Sequence, residues 1–330
     1  MAAPMIPPVH ASDFLAAHGW GGADIRPLAG DASFRRYFRV HGPDGACAVL
    51  MDAPPPHEDP QPFVAAAQWL AGAGLTAPSI LARDIERGLL LIDDFGDARL
   101  RETLDAAPER EPELYALAVD LLVHLHAQPP MPGLKPHGLD QWLEELALFP
   151  EWYCPALGLE VDADAYREAW RTVLEPVAGD GRGPVTVLRD FHAENIMLVA
   201  GRTGFRHFGL LDFQDAVAGH PAYDLASVLE DARRDVTPAI ERRMLELYCN
   251  ETGQGLGFES AYWALAAQRN TRILGVFTRL WKRDGKSHYT SYQPRMWGLL
   301  ERNLACPALA PVRDWFDRNI QSDKRAAAWA

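Results

Sequence analysis

The chain has 330 residues, 48% of them hydrophobic, which is enough to fill the cores of two lobes. Its 45 acidic residues against 32 basic ones leave a net charge of −13, which argues against nucleic acid or an anionic membrane as partner while leaving room for a local phosphate pocket. The 4 cysteines, Cys47, Cys154, Cys249 and Cys306, are scattered without a CxxC pair, so neither a zinc site nor a disulfide framework is expected and a reducing, cytoplasmic setting fits.

"MAAPMIPPVH" lacks the basic start of a secretory signal, and no apolar run reaches the ~18 residues of a membrane span. "SFRRYFRVHG" alternates apolar residues with arginine, the period of a strand, and Pro43–Gly45 ("PDG") is a hairpin turn. "ACAVLMDA" reads as the returning buried strand, "FVAAAQWLAGAG" as a helix closed by glycine, and "GLLLIDDFGD" as a buried strand ending at an acidic corner. From about Arg101 helical patterns dominate, as in "PELYALAVDLLVHLHAQ", "LDQWLEELALFPEWY" and "ADAYREAWRTVLEPV". Short strands near 185–188 and 208–211 interrupt them, and helices resume from Tyr223 to about Arg302. The tail "QSDKRAAAWA" is expected to fray.

Two segments carry chemistry. "VLRDFHAENIML" places Asp190, His192, Glu194 and Asn195 between two apolar runs, and "LLDFQD" follows with Asp212 after another. Strand, polar loop, strand, turn at "GRTG", strand, Asp predicts a hairpin-like unit that gathers Asp190, Asn195 and Asp212 at one edge. Two carboxylates and an amide oxygen are hard ligands, suited to Mg²⁺ rather than zinc. D-x-x-x-x-N followed by D-F is the arrangement of kinases, in which one Asp orients the attacking hydroxyl while an Asn and a second Asp hold magnesium. The plainer alternative is that Asp190 and Asn195 cap turns and Asp212 ends a strand. His192 and Glu194 also form H-x-E, but without P-C-x-x-C a zinc-bound water is not supported.

On "GDASFRRYFRV", "LMDAPPPHEDPQPFV", "LFPEWY", "LRDFHAENIM", "LLDFQDAVAGHPAYDLASVLEDARRDV" and "LGVFTRLWKRDGK", nearly the whole chain resembles the aminoglycoside phosphotransferase/choline kinase family. Within it the likeness is greatest to cell-wall sugar kinases that act on the anomeric hydroxyl of N-acetylmuramate and N-acetylglucosamine. The resemblance implies an α+β, protein-kinase-like fold of two lobes: residues 1–96 as a small β-rich nucleotide-binding lobe with its hinge, and 97–330 as a helical lobe with the catalytic loop. It implies ATP as donor, Mg²⁺, Asp190 as catalytic base, and Asn195 and Asp212 as metal ligands. The partner would be a small amino sugar, with no obligate protein partner; an aminoglycoside, a choline-like alcohol, or a nucleotide-binding module without catalysis is the alternative.

The sequence departs from the family in places. Leu188 stands where a histidine is usual, Gln214 holds the third position of D-F-G, and Met51 stands near the lysine expected on the third strand. The helix that follows carries no acid to pair with such a lysine. The phosphates are therefore expected against the Ser33 turn and at least one of Arg35, Arg36 and Arg39; alternation puts Arg35 and Arg39 on one face and Arg36 on the other. Adenine is expected on the main chain near Ile92, Asp94 and Phe95. Glu151 and Trp152, Glu230 and Asp231, and Arg279 with Lys282 are the candidate walls of the sugar pocket. Asp224 is expected to anchor its helix, and His124 and His126 to support the loop from the core.

Overall fold

A computed structural model of the chain describes residues 5–28 and 34–325. Ser33 and the last five residues of the tail lie outside the described residues. Along the chain come α1 (Ala11–Ala17), β1 (Asp24–Pro27), β2 (Arg36–His41), β3 (Cys47–Asp52), α2 (Gln61–Gly72), β4 (Ile80–Asp84), β5 (Leu89–Asp93) and α3 (Leu100–Ala106). Next are α4 (Glu111–His126), β6 (Pro136–His137), α5 (Leu139–Leu146), and a π turn, Phe149–Tyr153, that runs into α6 (Cys154–Ala156). Then follow α7 (Ala163–Ala178), β7 (Val185–Val187), β8 (Ile196–Leu198), β9 (Phe208–Leu210), β10 (Val217–Gly219), α8 (Ala222–Leu229), α9 (Pro238–Thr252), α10 (Leu256–Asp284), α11 (Gln293–Leu304), α12 (Ala310–Asn319) and α13 (Ser322–Arg325).

The chain divides into two compact units. The first holds residues 1–103 together with Asn195–Asp215; the second holds Leu104–Glu194 and Ala216–Ala330. A single cut after residue 96 does not describe this division, because the β8–β9 segment groups with the N-terminal strands.

In the first unit, β1 to β5 form an antiparallel sheet in the order β1-β2-β3-β5-β4. The β2–β3 hairpin pairs Arg36 with Asp52 and Tyr37 with Met51. Alternation then sorts the side chains. Phe38, Val40, Leu50, Leu89 and Leu91 pack on Phe14 and Leu15 of α1. Each such large apolar side chain contributes about 1.5–3 kcal/mol on burial. Tyr37, Arg39, Val49, Met51 and Ile92 point to the other face. β8 and β9 form a separate two-stranded ribbon, Ile196 opposite Leu210, tied into this unit by the bridge between Gly209 and Thr76. Gly209 has to be glycine, since a Cβ there would lie 2.6 Å from the Phe95 ring.

The second unit is helical, with one small sheet in the order β6-β10-β7. Its helices start and stop where local chemistry dictates. Asp162 accepts from the N–H groups of Asp164 and Ala165 at 3.0 and 2.9 Å to open α7. Thr237 followed by Pro238 opens α9. Gly253 and Gly285, at φ 66° and 69°, close α9 and α10. The long α10 runs against the π turn. Gly275 permits this approach, because a Cβ there would lie 2.5 Å from the Leu148 carbonyl carbon. The turn's own aromatics, Phe149 and Tyr153, stack at 4.7 Å and pack edge-on to Trp297. Among the described residues, no helix is long and apolar enough to cross a membrane.

Candidate active site

In the second unit the loop after β7 carries Asp190. Leu188 and Arg189 donate their backbone N–H groups to the two oxygens of Asp224, at 2.7 and 2.8 Å. Ser227 of α8 donates to the Arg189 carbonyl at 3.0 Å. Arg189 is thereby held at φ 68°, a left-handed conformation that costs a non-glycine residue about 1–2 kcal/mol. That twist turns the chain at the residue before Asp190. Further along, Ala193 donates its N–H to Asp231 at 3.1 Å. Arg233 pairs with Glu194 at 2.8 Å and approaches His192 Nε2 at 3.3 Å. The H-x-E pair thus closes on an arginine, and α8 with the segment after it braces the loop from below.

The surroundings of Asp190 set its charge. Burial acts to push its carboxyl up, but the charges of His192, Arg272, Arg269 and Arg189 outweigh this and hold it below the usual range. Burial pushes the His192 imidazole down, so near neutral pH the three arginines carry that effect. Two of those arginines, Arg189 and Arg272, are themselves held by Glu145. Glu145 accepts from Arg189 at 2.6 Å, lies 3.5 Å from Arg272 and 3.3 Å from His137. Burial alone would raise the Glu145 carboxyl, but His137, Arg272 and Arg189 bring it down to about 2. Asp190 therefore stays ionised, and it can accept a hydrogen bond from an acceptor hydroxyl.

In the first unit the ribbon carries Asn195 just ahead of β8 and Asp212 two residues beyond β9. Leu211 donates its N–H to the Asn195 carbonyl at 2.9 Å, which extends the ribbon and sets the two positions at the same end. Asp212 is at φ 56°. Its Oδ1 accepts from Gln214 Nε2 at 2.7 Å and from Arg35 Nη2 at 3.2 Å. Phe213 packs on Phe63 of α2 at 4.9 Å. Gln214, in place of the usual glycine, thus acts as a clamp on the aspartate. One amide and one carboxylate, oxygen donors alone, make a donor set that fits magnesium.

Arg36 pairs with Asp52 at 2.5 Å, on the α1 face of the sheet. Arg39 pairs with Asp94 at 2.7 Å and Asp97 at 2.9 Å, so the Asp94 side chain is taken up by an arginine and only its main chain faces other duties. Ile92 sits in the ladder between β3 and β4, and the backbone leaves the sheet after Asp93. Phe95 lays its ring on Gly209. Met51 is buried, opposite Tyr37 and Leu90.

Glu230 and Asp231 do not behave as pocket walls. Glu230 is buried, accepting from Asn303 at 2.6 Å and from Asn270, and burial together with Glu241 raises its carboxyl to about 8. Asp231 is equally buried and spends its oxygens on the backbone N–H groups of Ala193 and Arg233. Both face inward because α8 is enclosed along its whole length. Asp224 has the structural role expected of it: its two oxygens fasten α8 to the loop. His126 bonds the Tyr248 hydroxyl at 2.8 Å and lies 3.8 Å from Asp224, a support from the core. Glu151 is exposed on the π turn with Trp152 half-buried beside it, and Arg279 lies within its electrostatic reach. Sequence reasoning overlooked Glu145, Arg269 and Arg272. For Arg269 and Arg272 the signal was two arginines three residues apart on one helix, in "AAQRNTRILG"; Glu145 is one of several acids in "LDQWLEELALF" and gave none.

Comparison with known proteins agrees with this geometry. The model of the phosphotransferase enzyme family matches residues 24–262. The N-acetylmuramate/N-acetylglucosamine kinase of Caulobacter vibrioides is 36% identical over 353 aligned positions, covering 94% of this chain and 96% of that protein. Its namesake from Pseudomonas aeruginosa is 34% identical, covering 89% and 88%. The solved streptomycin–ATP–APH(2")-IIa ternary complex shares the fold, with a TM-score of 0.59 at 16% identity over 92% of this chain and 98% of that one. Family match and near full-length relatives together place the chain in the phosphotransferase enzyme family, as a small-molecule kinase of protein-kinase-like fold.

Proposed function

We propose that this kinase transfers the γ-phosphoryl group of ATP to the anomeric hydroxyl of N-acetylmuramate or N-acetylglucosamine, giving the sugar 1-phosphate. The observation that carries the reading is the position of Asp190, on a loop twisted at Arg189 and fastened to α8, with its carboxyl held below the usual range by the charges of His192, Arg272, Arg269 and Arg189. Relatives that bear the name of this activity and align along almost the whole chain support the acceptor class. A neighbour of the same fold solved with ATP supports the donor.

Asp190 orients the acceptor hydroxyl and takes its proton as the new P–O bond forms. Asn195 and Asp212 would hold magnesium, which when bound neutralises phosphate charge. Adenine rests on the main chain at Asp94 and Phe95, past the end of β5. Glu151 and Trp152 offer a carboxylate and an aromatic face to a sugar. Arg279 is the choice for the lactyl carboxylate of N-acetylmuramate: its buried Nε meets no acceptor among the described residues, and burial with Arg283 and Arg272 nearby pushes its pKa down, a field an anion relieves.

The test is ATP turnover with both sugars, an aminoglycoside and choline, with the product read by phosphorus NMR. A sugar 1-phosphate is expected. Inert N-acetyl sugars beside a rapidly turned-over alternative would end the acceptor assignment.

A further inference from the structure

The expected lysine of the third strand is absent, and the buried Met51 stands there instead. In kinases that lysine pairs with the ATP phosphates and with a carboxylate of the following helix. Three arginines on or beside β2 are the nearest cations in sequence, and the structure separates them. Arg36 points to the α1 face, where Asp52 receives its Nε and Nη2 at 2.8 and 2.5 Å. Arg39 shares the face of Met51 but is closed by Asp94, Asp97 and the Gly96 carbonyl, at 2.7, 2.9 and 3.1 Å.

Arg35 differs from both. Its side chain is 9% exposed, and its guanidinium reaches Asp212 at 3.2 Å and Asp215 at 3.9 Å. Continuing the β2–β3 register by one pair sets it opposite Ala53, on the face of Tyr37 and Met51. Glu58, just ahead of α2, bonds the Phe34 N–H at 3.2 Å and lies within electrostatic reach of Arg35. A cation, an acid beside the following helix, and the aspartate after β9 therefore occur together here, with the cation and acid on different chain positions from the usual ones.

We infer that Arg35 supplies from the β2 strand the phosphate-binding charge that related kinases draw from a β3 lysine. Its guanidinium lies 3.2 Å from Asp212, and from there it would donate to the phosphate oxygens of a bound nucleotide. The inference rests on the reading of the protein as an ATP-dependent kinase. It explains why Met51 is tolerated, since a second buried cation next to Arg35 would be costly. It also explains why α2 carries no acid: the anionic partner sits at Glu58.

Equilibrium binding of ATP, ADP and adenosine separates this role from a structural one. For Arg35→Ala, ATP and ADP affinity should drop about 10- to 100-fold, with and without magnesium, while adenosine affinity changes less than about twofold. Arg35→Lys should fall between wild type and Arg35→Ala, and Arg36→Gln should bind all three as wild type does. Equal losses for ATP and adenosine, or no loss for ATP, would overturn the inference. A wild type that binds no adenine nucleotide would overturn the kinase reading with it. A wild type that binds ATP with the expected Arg35 dependence, yet leaves both sugars unphosphorylated, would uphold Arg35 and refute the acceptor.

Discussion

Glu145→Gln tests how the loop is charged. Glu145 is the anion that holds Arg189 at 2.6 Å and Arg272 at 3.5 Å, with Gln268 also donating to it at 3.3 Å. Its carboxyl titrates at about 2 in the fold, against an ordinary 4.5. That difference is worth about 3 kcal/mol at pH 7 by linkage. Because the folded value is depressed, the contribution is complete above pH 4.5 and is lost as pH falls toward 2, about half of it by pH 3. Urea unfolding of wild type and Glu145→Gln should therefore show a gap near 3 kcal/mol at pH 7 that narrows below pH 4. Turnover should fall as well, since Arg189 and Arg272 then lean on Asp190 and weaken it as a proton acceptor. A gap under 1 kcal/mol, or one that does not change with pH, would show that the Glu145 charge does not stabilise this loop.

Gly275→Ala puts a Cβ 2.5 Å from the Leu148 carbonyl carbon, so α10 and the π turn must separate. We expect a loss of about 1–3 kcal/mol by thermal unfolding and a raised KM for sugar with ATP KM unchanged. Glu230→Gln replaces a carboxyl whose folded value is raised to about 8. Wild-type stability attributable to this group is present below pH 4.5 and declines as pH climbs through 8; the variant should lose that decline, seen as a flatter stability profile from pH 5 to 9.

Much of the first unit was legible because strands announce themselves by alternation and turns by glycine and proline. "SFRRYFRVHG", "PDG" and "ACAVLMDA" became β2, a turn and β3, and the sorting of Arg36 from Arg39 followed from period alone. The Asn195–Asp212 ribbon was readable for the same reason. Glu230 and Asp231 were misjudged, and the partners of Asp224 were not named, because a helix pattern gives spacing but not the identity of the neighbour. Asp224 meets backbone N–H groups 36 and 35 positions away, and Glu230 meets Asn270 and Asn303. The π turn at "FPEWY" was read as a continuation of the helical pattern "LDQWLEELALFPEWY", since one widened turn leaves no trace in apolar periodicity. Glu145 and Arg272 were overlooked because only tertiary packing brings their charges to bear on the loop of Asp190.

The claim on which the rest depends is that Asp190 acts on the acceptor hydroxyl, and Asp190→Asn measures it. Asparagine keeps the shape of the side chain and removes the proton acceptor. Turnover of N-acetylglucosamine with ATP should fall about 10²- to 10⁴-fold, with ATP affinity within about threefold of wild type. Turnover that survives the substitution, with nucleotide binding intact, would contradict the mechanism proposed for this kinase.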